Sequence, residues 1–63
     1  MTTLARVAED AAREATTALH LVEDALEGRT PADVTLARAE CHLALARAHL
    51  LHAAEMRARD GRP

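Results

Sequence analysis

Apolar residues recur alternately four and three positions apart through the first half of the chain, from Leu4 to Ala25. This spacing is the heptad repeat of an amphipathic helix, and charged residues occupy the opposite side. The pattern predicts a helix over about residues 3–27 whose apolar seam packs against a second helix. The predicted seam consists of Leu4, Ala8, Ala11, Ala15, Ala18 and Val22.

A turn is predicted over residues 28–30. Gly28 follows the last apolar position and accepts the positive φ that often ends a helix. Thr30 and Pro31, followed by an acid two residues later, are typical of a helix start. A connection this short places the two helices side by side and antiparallel. The second helix is expected over about residues 31–60.

The second helix is apolar on more than one face. One seam alternates leucine with alanine, and its leucines, Leu36, Leu43 and Leu50, are predicted to face the first helix. A helix that is apolar on two faces is usually buried on both, and one hairpin supplies only one partner helix. The second face is therefore predicted to be an interchain interface. Its residues are Val34, Cys41, Leu45, Ala48, His52 and Met56.

These patterns predict an all-α fold in which residues 1–63 form one antiparallel helical hairpin. A chain of 63 residues is marginal when it folds alone, and its single cysteine excludes an internal disulfide. Sixteen of the residues are alanine, which favours helix but buries little apolar surface. We therefore expect the hairpin to complete its core by dimerising into a four-helix bundle.

The histidines are the main candidates for chemistry. His42, His49 and His52 lie within about three turns of the second helix, and the last two are spaced to share a metal. They are expected to be half-buried polar residues, with a divalent metal site, a haem site and a pH-sensitive interface as alternatives. Cys41 is expected to be a small buried hydrophobe, because His42 projects about 100° away from it around the helix.

Composition and charge narrow the range of functions that the chain can be expected to have. The net charge is −2 and aromatic residues are absent, so nucleic acid is not an expected partner. No apolar run reaches membrane length, and the cytoplasm is the expected location. No catalytic motif and no cofactor motif is present. The sequence favours a non-enzymatic interaction module, either a homodimeric adaptor or an accessory subunit that docks onto a larger protein. The alternatives are a metal- or haem-binding bundle and a small nucleic-acid-binding regulator.

Overall fold

The computed structural model describes residues 3–60, which form two helices. Helix α1 spans Leu4–Leu26 and α2 spans Ala32–Asp60, and the two pack along each other as a hairpin. The all-helical hairpin predicted from the heptad pattern is confirmed, with helix limits that differ from the predicted ones by one residue at most. The outermost parts of the predicted domain, residues 1–2 and 61–63, lie outside the described residues.

Threonines mark the start of each helix. The Thr3 hydroxyl accepts a hydrogen bond from the Arg6 N–H at 3.2 Å, which satisfies one of the free amides in the first turn of α1. In α2, the Pro31 carbonyl accepts the first helical hydrogen bond, from the Thr35 N–H at 3.1 Å. The Thr35 hydroxyl, in the first turn of α2, donates a hydrogen bond to the hydroxyl of Thr30 at 2.8 Å. Thr30, which precedes the helix, is thereby joined to a side chain of α2.

Gly28 reverses the chain after α1. Its φ is +75°, a conformation that glycine adopts without steric cost. The Gly28 N–H donates to the Ala25 carbonyl, and the Arg29 N–H donates to the Asp24 carbonyl at 2.9 Å. This pair of hydrogen bonds is the Schellman motif that ends many helices. The positive φ of Gly28 and these two hydrogen bonds therefore explain why the chain turns at this glycine.

The contact between the helices is lined by small side chains. The largest fully buried side chain is that of Val7, and Thr35 is the one buried polar residue among those described. Small residues let two helix backbones approach closely, but each removes little apolar surface from water. The hairpin therefore has a thin core. Its buried residues are Val7, Ala11, Ala18, Thr35, Ala39 and Ala46.

The single hairpin buries only part of the predicted intrachain seam. Ala11 and Ala18 are buried and Val22 is half-buried. Two helices bury only a narrow strip between them, and this strip runs through Ala39 and Ala46 and continues toward the histidine flank of α2. The flank of α2 that carries the leucines remains exposed to solvent. The predicted seam residues that the structure leaves exposed are Leu4, Ala8, Ala15, Leu36, Leu43 and Leu50.

The two helices differ in length. Helix α1 has 23 residues and α2 has 29, and both meet the same short turn. The extra six residues of α2 correspond to about 9 Å of helix. By this count residues 55–60 extend past Leu4, the first residue of α1. Between residues 3 and 60, neither helix is apolar over enough residues to cross a membrane.

Candidate interaction surface

One side of the hairpin is apolar across both helices. Leu36, Leu43 and Leu50 share one flank of α2 because they are seven residues apart, and the neighbouring flank of α1 carries leucine, alanine and valine. The exposed fractions of its leucines run from 37% at Leu4 to 81% at Leu26. We call this surface the leucine face. It consists of Leu4, Ala8, Ala15, Leu19, Val22, Leu26, Leu36, Leu43 and Leu50.

An open groove of about 260 Å³ lies within the leucine face. Four residues of α1 and one residue of α2 line it, and all five are apolar. The groove confirms that the leucine flanks of the two helices lie on the same side of the hairpin. Because it is open to solvent, an apolar side chain from outside could contact this lining. The lining residues are Ala15, Ala18, Leu19, Val22 and Leu43.

The opposite side of the hairpin carries a polar contact between the helices. His42 Nδ1 of α2 lies 2.5 Å from Glu14 Oε2 of α1, and both side chains are about one-third exposed or less. Glu14 shares the buried heptad of Val7, Ala11 and Ala18, which places its carboxylate beside α2. Glu14 was not among the residues predicted to carry chemistry. The sequence could have indicated this contact, because Glu14 and His42 lie at similar distances along the chain from the turn and therefore at similar heights in an antiparallel hairpin.

The three candidate metal ligands are not equivalent. His42 and His49 are half-buried on the flank of α2 beside α1, whereas His52 is exposed. Within residues 3–60, no three His, Cys, Asp or Glu side chains come close enough together to hold a metal ion. The one carboxylate in contact with this group of histidines is Glu14, and it contacts His42. In a single chain these residues thus form one hydrogen-bonded pair, His42 with Glu14, and not a set of metal ligands.

The face predicted to be the interchain interface is also on the surface. Cys41 is exposed in the single chain, and its burial in an interchain interface stays a prediction. Leu45 is 48% exposed and Val34 is 57% exposed, and Met56 is half-buried beside the histidine flank. Ala48 and His52 complete this face, and both are exposed. It holds two large aliphatic side chains, fewer than the leucine face, and it lies on α2 alone.

Ion pairs occur mainly within α1 and the turn. Asp10 lies 3.7 Å from Arg6 and 3.3 Å from Arg13, and all three belong to α1. Arg29 pairs with Asp24 at 3.7 Å and also with Glu27, which holds the turn against the end of α1. Such exposed pairs contribute little stability each. None of the residues in these pairs belongs to the leucine face.

The His42–Glu14 contact is expected to stabilise the hairpin. His42→Ala should lower the free energy of unfolding by ~0.5–1 kcal/mol, since a partly exposed hydrogen bond to a carboxylate is lost and the carboxylate can be rehydrated. Chemical denaturation followed by circular dichroism measures this loss. His20→Ala is the matched control, because His20 is exposed on α1.

A double-variant cycle separates this contact from helix propensity. If the pair acts as a unit, His42→Ala combined with Glu14→Ala should cost no more than the larger of the two single effects. Strictly additive losses would mean that the two side chains do not stabilise one another.

Comparison with known proteins gives no relative for this hairpin: no protein-family model, no curated protein and no solved structure matches the chain.

Proposed function

We propose that this protein is a small non-enzymatic interaction module of the cytoplasm that works as a homodimer, with the leucine face of each chain covered by that of a second copy. The observation that carries the proposal is the leucine face itself. Its six leucines are exposed on one contiguous side of a chain that has only small residues in its core. Large contiguous apolar patches usually mark protein–protein contacts.

The surface area supports a second copy as the occupant. A compact folded protein of 6.8 kDa exposes about 4000 Å². This hairpin exposes 4916 Å², an excess of roughly 900 Å² over that expectation. A typical stable interface buries about 800 Å² on each partner. Pairing two leucine faces would remove about the surface that the single hairpin has in excess, and it would yield a four-helix bundle.

Burial of the leucines would also supply the missing core. Fully burying a completely exposed leucine contributes about 1.5–3 kcal/mol, so each of these partly exposed leucines would contribute roughly half of that. The alanines already buried contribute much less. The dimer would therefore be the folded form, and separate protomers would be marginal. Surfaces that remain outside the bundle, including the face with Val34 and Leu45, would then be available to a larger protein partner.

The test is the mass and stability of the protein in solution. Sedimentation equilibrium should give twice 6.8 kDa at micromolar concentration. The melting temperature should rise with concentration, since each tenfold increase adds about 1.4 kcal/mol to the stability of a dimer. Repeating both measurements with added Zn²⁺ should change neither.

Two outcomes would contradict the proposal. A 6.8 kDa species whose melting temperature is independent of concentration would exclude the homodimer. A dimer that forms only with Zn²⁺ would favour the metal-binding alternative at His42, His49 and His52.

A further inference from the structure

The two helices place matching residues at equal heights on the leucine face. Arg29 is the centre of the turn, and Ala15 and Leu43 are each fourteen residues from it. Val22 and Leu36 are each seven residues from Arg29. Both helices rise by about 1.5 Å per residue, so the members of a pair lie at about the same height. On this face each leucine of α2 is therefore level with a smaller residue of α1.

We infer that the homodimer has both turns at the same end, so that α1 of each protomer lies against α2 of its partner. This inference rests on the proposed self-association through the leucine face. The twofold axis then runs parallel to the helices, and every residue keeps its height across the interface. Leu43 meets Ala15 of the partner subunit, Leu36 meets Val22 of the partner subunit, and Leu50 meets Ala8 of the partner subunit.

Side-chain volume favours this arrangement. With the turns at the same end, each of the three leucines that α2 contributes to the face meets a smaller residue of the partner's α1. With the turns at opposite ends, α2 would pack on α2 and α1 on α1. The α2 leucines would then face one another, and the alanines in the middle of the α1 flank, Ala8 and Ala15, would face alanine or valine. Protein interiors are packed to uniform density, and voids of this kind are costly.

The groove points the same way. Four of its five lining residues belong to α1, between Ala15 and Val22. If α2 of the partner lies over α1, two leucines, Leu36 and Leu43 of the partner subunit, are at the heights of the two ends of the groove. If α1 of the partner lay there with the apolar faces centred on each other, it would present Ala8 and Ala15 of the partner subunit instead. Alanines are too short to fill the groove.

Charge complementarity supports the same pairing. Helix α1 contains five acidic residues and two arginines, whereas α2 contains four of each. Packing α1 against α1 would bring two net negative helices together along their length. Packing α1 against α2 of the partner avoids that repulsion, because α2 has no net charge from its acids and arginines.

Disulfide trapping tests the arrangement. The variants are made in a Cys41→Ala background, one with Ala15→Cys and the other with Leu43→Cys, and the two chains are mixed in a glutathione buffer. The expected main product is a covalent heterodimer linking position 15 of one chain to position 43 of the other, because facing positions meet the distance requirement of a disulfide. Ala8→Cys mixed with Leu50→Cys should behave in the same way. Ala48→Cys mixed with Ala15→Cys is the control and should give little covalent product, since Ala48 lies away from the leucine face.

Sedimentation of the reduced variants separates the possible failures. If Leu43→Cys alone gives mainly a covalent homodimer, the turns lie at opposite ends and the inference is wrong. It is also wrong if the reduced chains sediment as dimers and neither mixed pair is trapped. If the parent chain sediments as a monomer, the proposed homodimer itself fails and takes this arrangement with it.

Discussion

Leu43→Glu is expected to convert the homodimer to a monomer and to abolish most of its thermal stability. Leu43 is 51% exposed in the single hairpin and lies at the middle of the leucine face, beside the groove. In the proposed dimer the new carboxylate would be buried without a partner. Even a cost of ~3 kcal/mol would raise the dissociation constant more than about 100-fold. Sedimentation equilibrium and concentration-dependent melting measure both effects.

Leu45→Glu is the matched control for this experiment. Leu45 is 48% exposed on the same helix, two residues away, but it points toward the other side of the hairpin. The control variant should dimerise like the parent chain. If Leu45→Glu dissociates the protein and Leu43→Glu does not, the interface is the face predicted from the sequence, which also contains Cys41 and Met56.

Ala39→Leu is expected to destabilise the hairpin by ~1–3 kcal/mol, because the larger side chain would push the two helices apart. Ala39 is 2% exposed and lies in the narrow strip between α1 and α2. A loss of this size is a large fraction of the stability of a short chain. Chemical denaturation at a fixed protein concentration measures it.

The same change two residues away shows whether packing is the cause. Ala37 is exposed on α2, and alanine and leucine have similar helix propensities. Ala37→Leu should therefore leave the free energy of unfolding within about 0.5 kcal/mol of the parent value. Equal losses at positions 37 and 39 would mean that the helices are not closely packed at Ala39.

Local signals explain why the helix limits could be predicted from the sequence. Thr3 caps α1 through its hydroxyl, and Gly28 ends it through a positive φ and the Schellman hydrogen bonds. Both effects depend on residues within one turn of the helix end. The same is true of Pro31 at the start of α2. Such signals can be recognised in a sequence without knowing what the helix packs against.

The rotation of the helices could not be predicted in the same way. Ala39 and Ala46 belong to two heptads at once, one flanked by Leu43 and the other by His42. The leucine flank was predicted to face α1 because its leucines alternate with small residues at heptad spacing. In the hairpin, the histidine flank lies beside α1 and Glu14 contacts His42, so the leucine flank is left outside. Which flank of α2 faces α1 depends on contacts between the two helices. The spacing of residues along one helix does not reveal those contacts.

The unequal length of the helices has a consequence for how the chain unfolds. The last six residues of α2 continue past the first residue of α1, and all of them except the half-buried Met56 are exposed. An isolated stretch of helix this short is unstable, but one that extends a packed helix needs no new nucleus. Its amides should therefore exchange with solvent through fraying from the end, well before the hairpin opens as a whole. Loss of helical signal in a melting experiment would begin there, so that the early part of the transition reports an end that carries none of the leucine face.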